Sequence, residues 1–181
     1  SDGIIDDNDE VAIGYTTIPE INYGFGVSTR WRNFDISIFF QGVDHVSRVI
    51  GGSNLYGQNG SILYYGQIFK DVAENRWSEF TRDPNSEYPR MSMVSNANNL
   101  RSSTFWLRDM SFLRLKNAEI GYSLPKNLIR KVGLSTLRFY VQGVNLLTFS
   151  GFKLWDPELD TNYGNSYPQM RNVTLGMNLN F

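Results

Sequence analysis

Cysteine is missing altogether, and histidine occurs once, at His45. Without thiols there are no disulfide frameworks, thiol nucleophiles, zinc ribbons or iron–sulfur clusters, and the redox compartment stays open by that route. A lone histidine, with no Gly-x-Ser-x-Gly elbow and no paired metal-binding histidines, argues against an enzyme. No charge of one sign prevails either. The 17 Lys and Arg face 18 Asp and Glu for a formal net charge of -1, which gives no electrostatic footprint for nucleic acid. Runs of about 18 apolar residues are lacking, so a spanning helix is excluded, and the opening SDGIIDDNDE is the opposite of a signal peptide. Spanning β-strands escape that exclusion, because they are about 9–11 residues long and half polar. A length of 181 residues fits one domain or a piece of a larger one.

What is present is alternation. From Val173 to Phe181 every odd position is apolar and every even one is Thr, Gly or Asn. Strand side chains point to opposite faces in turn, so one face is wholly hydrophobic and the other polar but uncharged. Near the start, Tyr23, Phe25, Val27 and Thr29 share a face, a turn follows around Arg32-Asn33, and Phe34, Ile36, Ile38 and Phe40 resume. So short a connection joins antiparallel strands. Runs over 104–124 and 136–147 are strand-like but change phase partway. In the second, Leu137, Phe139 and Val141 share a face and Val144 and Leu146 take the other, which predicts a bulge at Gly143. Between them, Pro125 to Gly133 reads as a capped helical turn or two, with Leu128, Ile129 and Val132 on one side.

These are five strands with short connections at 31–33 and 125–135 and long ones at 44–103 and 148–170. Long loops on one rim and short turns on the other are the rule for outer-membrane barrels. A strand of about 11 residues tilted about 40° spans about 27 Å, close to an apolar band of about 25 Å. The expected fold is therefore all-β, a transmembrane antiparallel β-barrel. Since closure takes about eight strands at least, the chain is read as the C-terminal part of a larger barrel, or as one that oligomerises to close.

Ser111 to Pro125 (SFLRLKNAEIGYSLP), Leu137 to Leu147 (LRFYVQGVNLL), Asp156-Pro157-Glu158, Tyr167-Pro168 and the final strand occur in an order that resembles the C-terminal end of SusC/RagA-type TonB-linked outer-membrane transporters. Weaker likeness extends through Asn75-Arg76-Trp77, Tyr88-Pro89-Arg90 and the Asp2 to Asp9 segment. The resemblance implies that residues 1–181 are the last five of about 22 strands, with the plug domain and TonB box absent from this chain. It implies import of glycan fragments or peptides, with the remainder of the transporter chain, a SusD-like surface lipoprotein, the TonB complex and outer-membrane lipid as partners. It also puts 1–20, 44–103 and 148–170 outside the cell and the short turns in the periplasm. Two other classes fit the same strands: a soluble β-sandwich carbohydrate-binding module, and a passive porin.

Several segments are candidate sites. The acidic opening resembles the second half of an EF-hand-type calcium loop, with Asp2, Asp6 and Asp9 as side-chain ligands and Ile4 offering its carbonyl. A solvated acidic loop is the plainer reading. Ile68, Phe69, Val72, Ala73, Arg76 and Trp77 recur at helical spacing opposite Lys70, Asp71, Glu74 and Asn75. Trp77, Tyr64 and Tyr65, with Tyr56, suit stacking on sugar rings or burial against a lid, and equally loop packing. Trp155 invites the same reading, although the resemblance, which includes Asp156-Pro157-Glu158 beside it, implies a structural turn there. Asp35, Gln41, Arg138, Gln142, Asn178 and Asn180 are expected to face the lumen.

Overall fold

The computed structural model describes residues 3, 7–51, 70–91, 96–164 and 166–181, with the backbone alone at Val132. The strands are β1 (Ile21–Trp31), β2 (Phe34–Asp44), β3 (Ser47–Val49), β4 (Leu107–Asp109), β5 (Phe112–Ser123), β6 (Thr136–Ser150) and β7 (Asn172–Asn180). Two short helices join them, α1 (Lys70–Asn75) and α2 (Lys126–Ile129). The described residues divide into two compact units. One draws on Ser1–Thr17, Ser47–Arg108 and Asp160–Asn165, the other on Ile18–Val46, Asp109–Leu159 and Ser166–Phe181.

The second unit is a five-stranded antiparallel meander in the order β1-β2-β5-β6-β7. Its alternation acts as the residue pattern demands. Partners directly opposite in an antiparallel ladder share a face, so Val27, Ile38 and Ala118 line up, as do Ile120, Val141 and Leu175. One face is thus apolar across all five strands. It is not sealed: Phe25, Ile36, Phe139 and Met177 are exposed, and Leu175 and Phe181 are 80% and 92% exposed. A soluble sandwich would cover such a face with a second layer, and among the described residues none does.

The short connections follow their local chemistry. Arg32 and Asn33 form a two-residue loop with Arg32 at φ +55°, and Asn33 accepts a hydrogen bond from Ser123 N–H at 2.8 Å, which ties this turn to the neighbouring one. There Pro125 precedes α2, a turn of 3-10 helix continues over Arg130–Val132, and Gly133 closes it at φ +77°, a conformation glycine adopts without a Cβ penalty. Ile129 is buried as expected, but Leu128 is exposed, because a single helical turn has only one inward position here.

Two expectations need correction. The break in β6 lies at Asn145 and Leu146, which together face Lys116, whereas Gly143 pairs regularly with Ala118 and Val173. Asn145 takes the left-handed conformation at φ +55°, which asparagine tolerates better than most residues. Gly143 has another duty: the Leu146 side chain folds over it, and a Cβ would sit 2.5 Å from Cδ1. The run 104–124 is also not one strand. Trp106 and Met110 are buried, β4 pairs with β3 instead, and the sheet strand starts at Phe112.

In the other unit some apolar residues form a small core, while others such as Val11 and Phe80 stay exposed. On α1, Val72 is 0% exposed. Tyr88 is buried and its hydroxyl donates to Asp71 at 2.7 Å, while Asn75 O accepts from Glu87 N–H. The buried Trp106 indole donates to Asn99 O at 2.8 Å, and Ile50 N–H donates to Trp106 O at 2.9 Å. Arg48 ties this unit's segments together through Asp160 at 2.6 Å and Asn162 at 3.1 Å. Among the described residues no helix is long and apolar enough to cross a membrane.

Candidate functional site

The polar face of the sheet is the candidate site. Register puts all six expected residues on it: Asp35, Gln41, Arg138, Gln142, Asn178 and Asn180 each oppose members of the polar set. Only two of them meet as an ion pair. The Arg138 guanidinium grips Asp35 with two hydrogen bonds, Nε to Oδ1 at 3.0 Å and Nη2 to Oδ2, and Nη2 also reaches Glu119 Oε1 at 2.5 Å. Its plane lies against Gly121, where any Cβ would collide with it, and 5.1 Å from the Tyr140 ring centroid. Arg30 faces Asp35 from β1 and Asn178 faces Arg138 from β7. Two arginines and two carboxylates balance, so this patch is polar without carrying net charge.

A second cluster holds the β6–β7 connection onto the same face. Arg114 is 1% exposed and pairs with Asp156, and its Nη1 lies 3.6 Å from Glu158. Lys116 donates to both Glu158 oxygens at 2.9 and 3.0 Å. Asp156 Oδ1 also accepts the Glu158 N–H at 3.0 Å, so the Asp-Pro-Glu turn is fixed internally before it binds the wall. The Lys116 bulge produces this grouping. Residues 114 and 116 precede the phase change and Asn117 and Glu119 follow it, yet all four end on the polar side.

Trp155 is half-buried and meets Phe152 edge to face at 4.9 Å. Trp77 is half-buried in the other unit, with its backbone N–H donating to Tyr88 O at 2.8 Å. Tyr64 and Tyr65, like Tyr56, Ile68 and Phe69, lie outside the described residues. So do Asp2, Ile4 and Asp6, while Asp9 ends a 3-10 turn over Asp7–Asp9. Among the described residues no group of three His, Cys, Asp or Glu is placed to hold a metal ion. His45 is not isolated: its Nδ1 lies 3.4 Å from Glu20 Oε2.

Arg114, Lys116, Glu119 and Glu158 were not expected on the site. The signal for the first three is in Leu113-Arg114-Leu115-Lys116 and Ala118-Glu119-Ile120, where charged residues alternate with apolar ones as uncharged polar or small ones do on the last strand. Glu158 carries no such signal, since it reaches the face from a connection.

No family model matches the chain. TonB-dependent receptor P3 of Formosa agariphila is 34% identical over 195 residues, 99% of this chain and 18% of the receptor. TonB-dependent receptor P26 of the same organism is 30% identical over 197 residues, 99% of this chain and 19% of the receptor. Among solved structures, the RagAB peptide importer in its closed-closed state superposes with a TM-score of 0.76 at 26% identity, over 98% of this chain and 19% of that one. Its open-open state gives 0.74 over the same shares. The chain thus spans under a fifth of the length of these relatives, which are receptors and importers rather than enzymes.

Proposed function

Since the chain is a SusC/RagA-type TonB-dependent transporter segment, we propose that its sheet forms five adjoining strands of an outer-membrane importer's wall. The rest of the wall, a plug and a TonB box come from outside these residues, within a barrel of about 22 strands. The single observation that carries this reading is the open apolar face: Val173, Leu175, Met177, Leu179 and Phe181 are all exposed. Hydrocarbon tails are the medium that such a face suits. The polar face, carrying Gln41, Gln142, Asn178 and Asn180 alongside two charge-balanced clusters, lines the transport path.

The cargo is a peptide or a glycan fragment, taken up with a SusD-like lipoprotein over the outer mouth and energised by TonB. Neutral amide side chains suit either cargo, because both present backbone or hydroxyl groups that donate and accept. Trp77, Tyr64 and Tyr65 serve the lid or the cargo in this reading. Calcium at Asp2, Ile4, Asp6 and Asp9 belongs to it as well, and metal analysis of the intact protein checks that separately.

The test is to purify the intact parent from outer membranes, identify what copurifies, and follow uptake with and without TonB. A copurifying lipoprotein with bound peptide or oligosaccharide, and uptake that stops when TonB is removed, are the expected results. Uptake indifferent to TonB would make the protein a passive porin. A compact monomer that stays soluble without detergent would make it a binding module.

A further inference from the structure

One rim of the sheet is electropositive, with no carboxylate paired to its charges among the described residues. The Arg32-Asn33 turn and the 124–135 connection sit side by side, joined by the Ser123 N–H to Asn33 O hydrogen bond. Between them they carry Arg32, Lys126, Arg130 and Lys131, all exposed, and no acidic residue occurs at 31–34 or 124–135. None of the four makes an ion pair among the described residues. The acids closest in register, Asp35 and Glu119, are already bonded to Arg138. Apolar and aromatic groups flank the charges. Trp31 is exposed with the Arg32 guanidinium 4.8 Å from its ring centroid, Phe34 and Tyr122 pair at 4.7 Å, and Leu128 is exposed in the same connection.

We propose that this rim binds the phosphate headgroups of anionic glycerophospholipids in the leaflet it touches. The surface is continuous with the apolar face, so its ligand is already the neighbour there, and the inference rests on the membrane-wall reading above. Aromatic side chains sit at the headgroup level and long basic side chains extend from it toward phosphate. Stacking on Trp31 holds the Arg32 charge at that depth. Phosphatidylcholine offers the same tails but balances its phosphate with a choline, so the rim distinguishes lipids by net charge.

The experiment uses the intact transporter in nanodiscs of phosphatidylcholine with a minor share of phosphatidylglycerol, with retained lipid counted by native mass spectrometry. Each basic group near an anionic leaflet strengthens attraction about fivefold, so Arg130→Ser with Lys131→Ser should lower phosphatidylglycerol retention about 25-fold. Arg32→Ser should lower it about fivefold. Lys70→Ser, a charge removed in the other unit, should match wild type. Equal retention by the double variant, an equal loss in Lys70→Ser, or, in a second set of nanodiscs holding equal shares of lipid A and phosphatidylglycerol, capture of lipid A in preference to phosphatidylglycerol each overturns the proposal. Heat-modifiable migration of the barrel is read in parallel. Barrels that insert normally yet hold no anionic lipid refute this inference alone, whereas a protein that never inserts refutes the wall reading and this with it.

Discussion

The two units of this chain use apolar residues in opposite ways. In the sheet, Phe25, Phe139, Leu175 and Met177 are exposed, while the side chain buried most deeply is a charged one, Arg114. In the loop unit, Val72, Tyr88, Ile50 and Trp106 are buried, and polar groups such as Glu74 and Glu79 lie outside. One chain therefore carries two solvents' worth of patterning. In the wall reading proposed above, the sheet is inside out because its apolar side is matched to lipid and its polar side to a wet interior. The loop unit is matched to water on the outside and needs its own small core. The direction in which a residue type is buried is thus itself a record of the medium each unit meets.

The largest test of that contrast is Arg114→Ala. Removing one partner of a buried pair leaves Asp156 uncompensated, and the expected loss is about 3–5 kcal/mol, measured as a lowered midpoint of barrel unfolding. Arg114→Ala paired with Asp156→Ala should recover part of that loss, since neither charge is then stranded. Next in size is Met177→Arg, which places a charge at mid-strand on the lipid side and should cost about 2–4 kcal/mol in the assembled barrel. Thr174→Arg, on the same strand but facing the other way opposite the neutral Gln142, should be tolerated. If the two substitutions behave alike, the two faces do not meet different media.

In the loop unit, Tyr88→Phe removes the hydrogen bond to Asp71 and should cost about 0.5–1.5 kcal/mol. This site also makes a pH prediction. Burial pushes the Tyr88 hydroxyl well above its usual range, and the hydrogen bond to Asp71 adds to that. A raised folded pKa means that the neutral form stabilises the fold fully below the unfolded value of 10.0, and that this support fades as pH rises beyond it. Protection of the loop unit from proteolysis should therefore decline above that pH in the wild type and less in Tyr88→Phe. The smallest effect belongs to Phe80→Ser. Phe80 is 100% exposed, so its loss should change stability by no more than about 0.5 kcal/mol. A larger change would mean that the apolar groups of this unit are not sorted by burial.

The alternating face was legible in the residues alone from Val173 to Phe181 and from Tyr23 to Phe40, because side chains along a strand alternate whatever the surroundings. The same rule placed Asp35, Gln41, Arg138, Gln142, Asn178 and Asn180 together on one side. Pro125 and Gly133 likewise marked a turn through their own backbone limits. The tertiary structure alone decided where the pattern slips. The bulge falls at Asn145 rather than Gly143 because it depends on what each neighbouring strand presents opposite Lys116. Only the folded chain brings Arg138 to Asp35 across 103 positions, and Arg114 to Asp156 across 42. Local periodicity fixes which way a side chain points, but which partner waits there is set by register and by the path of the connections, and no stretch of a few residues encodes either.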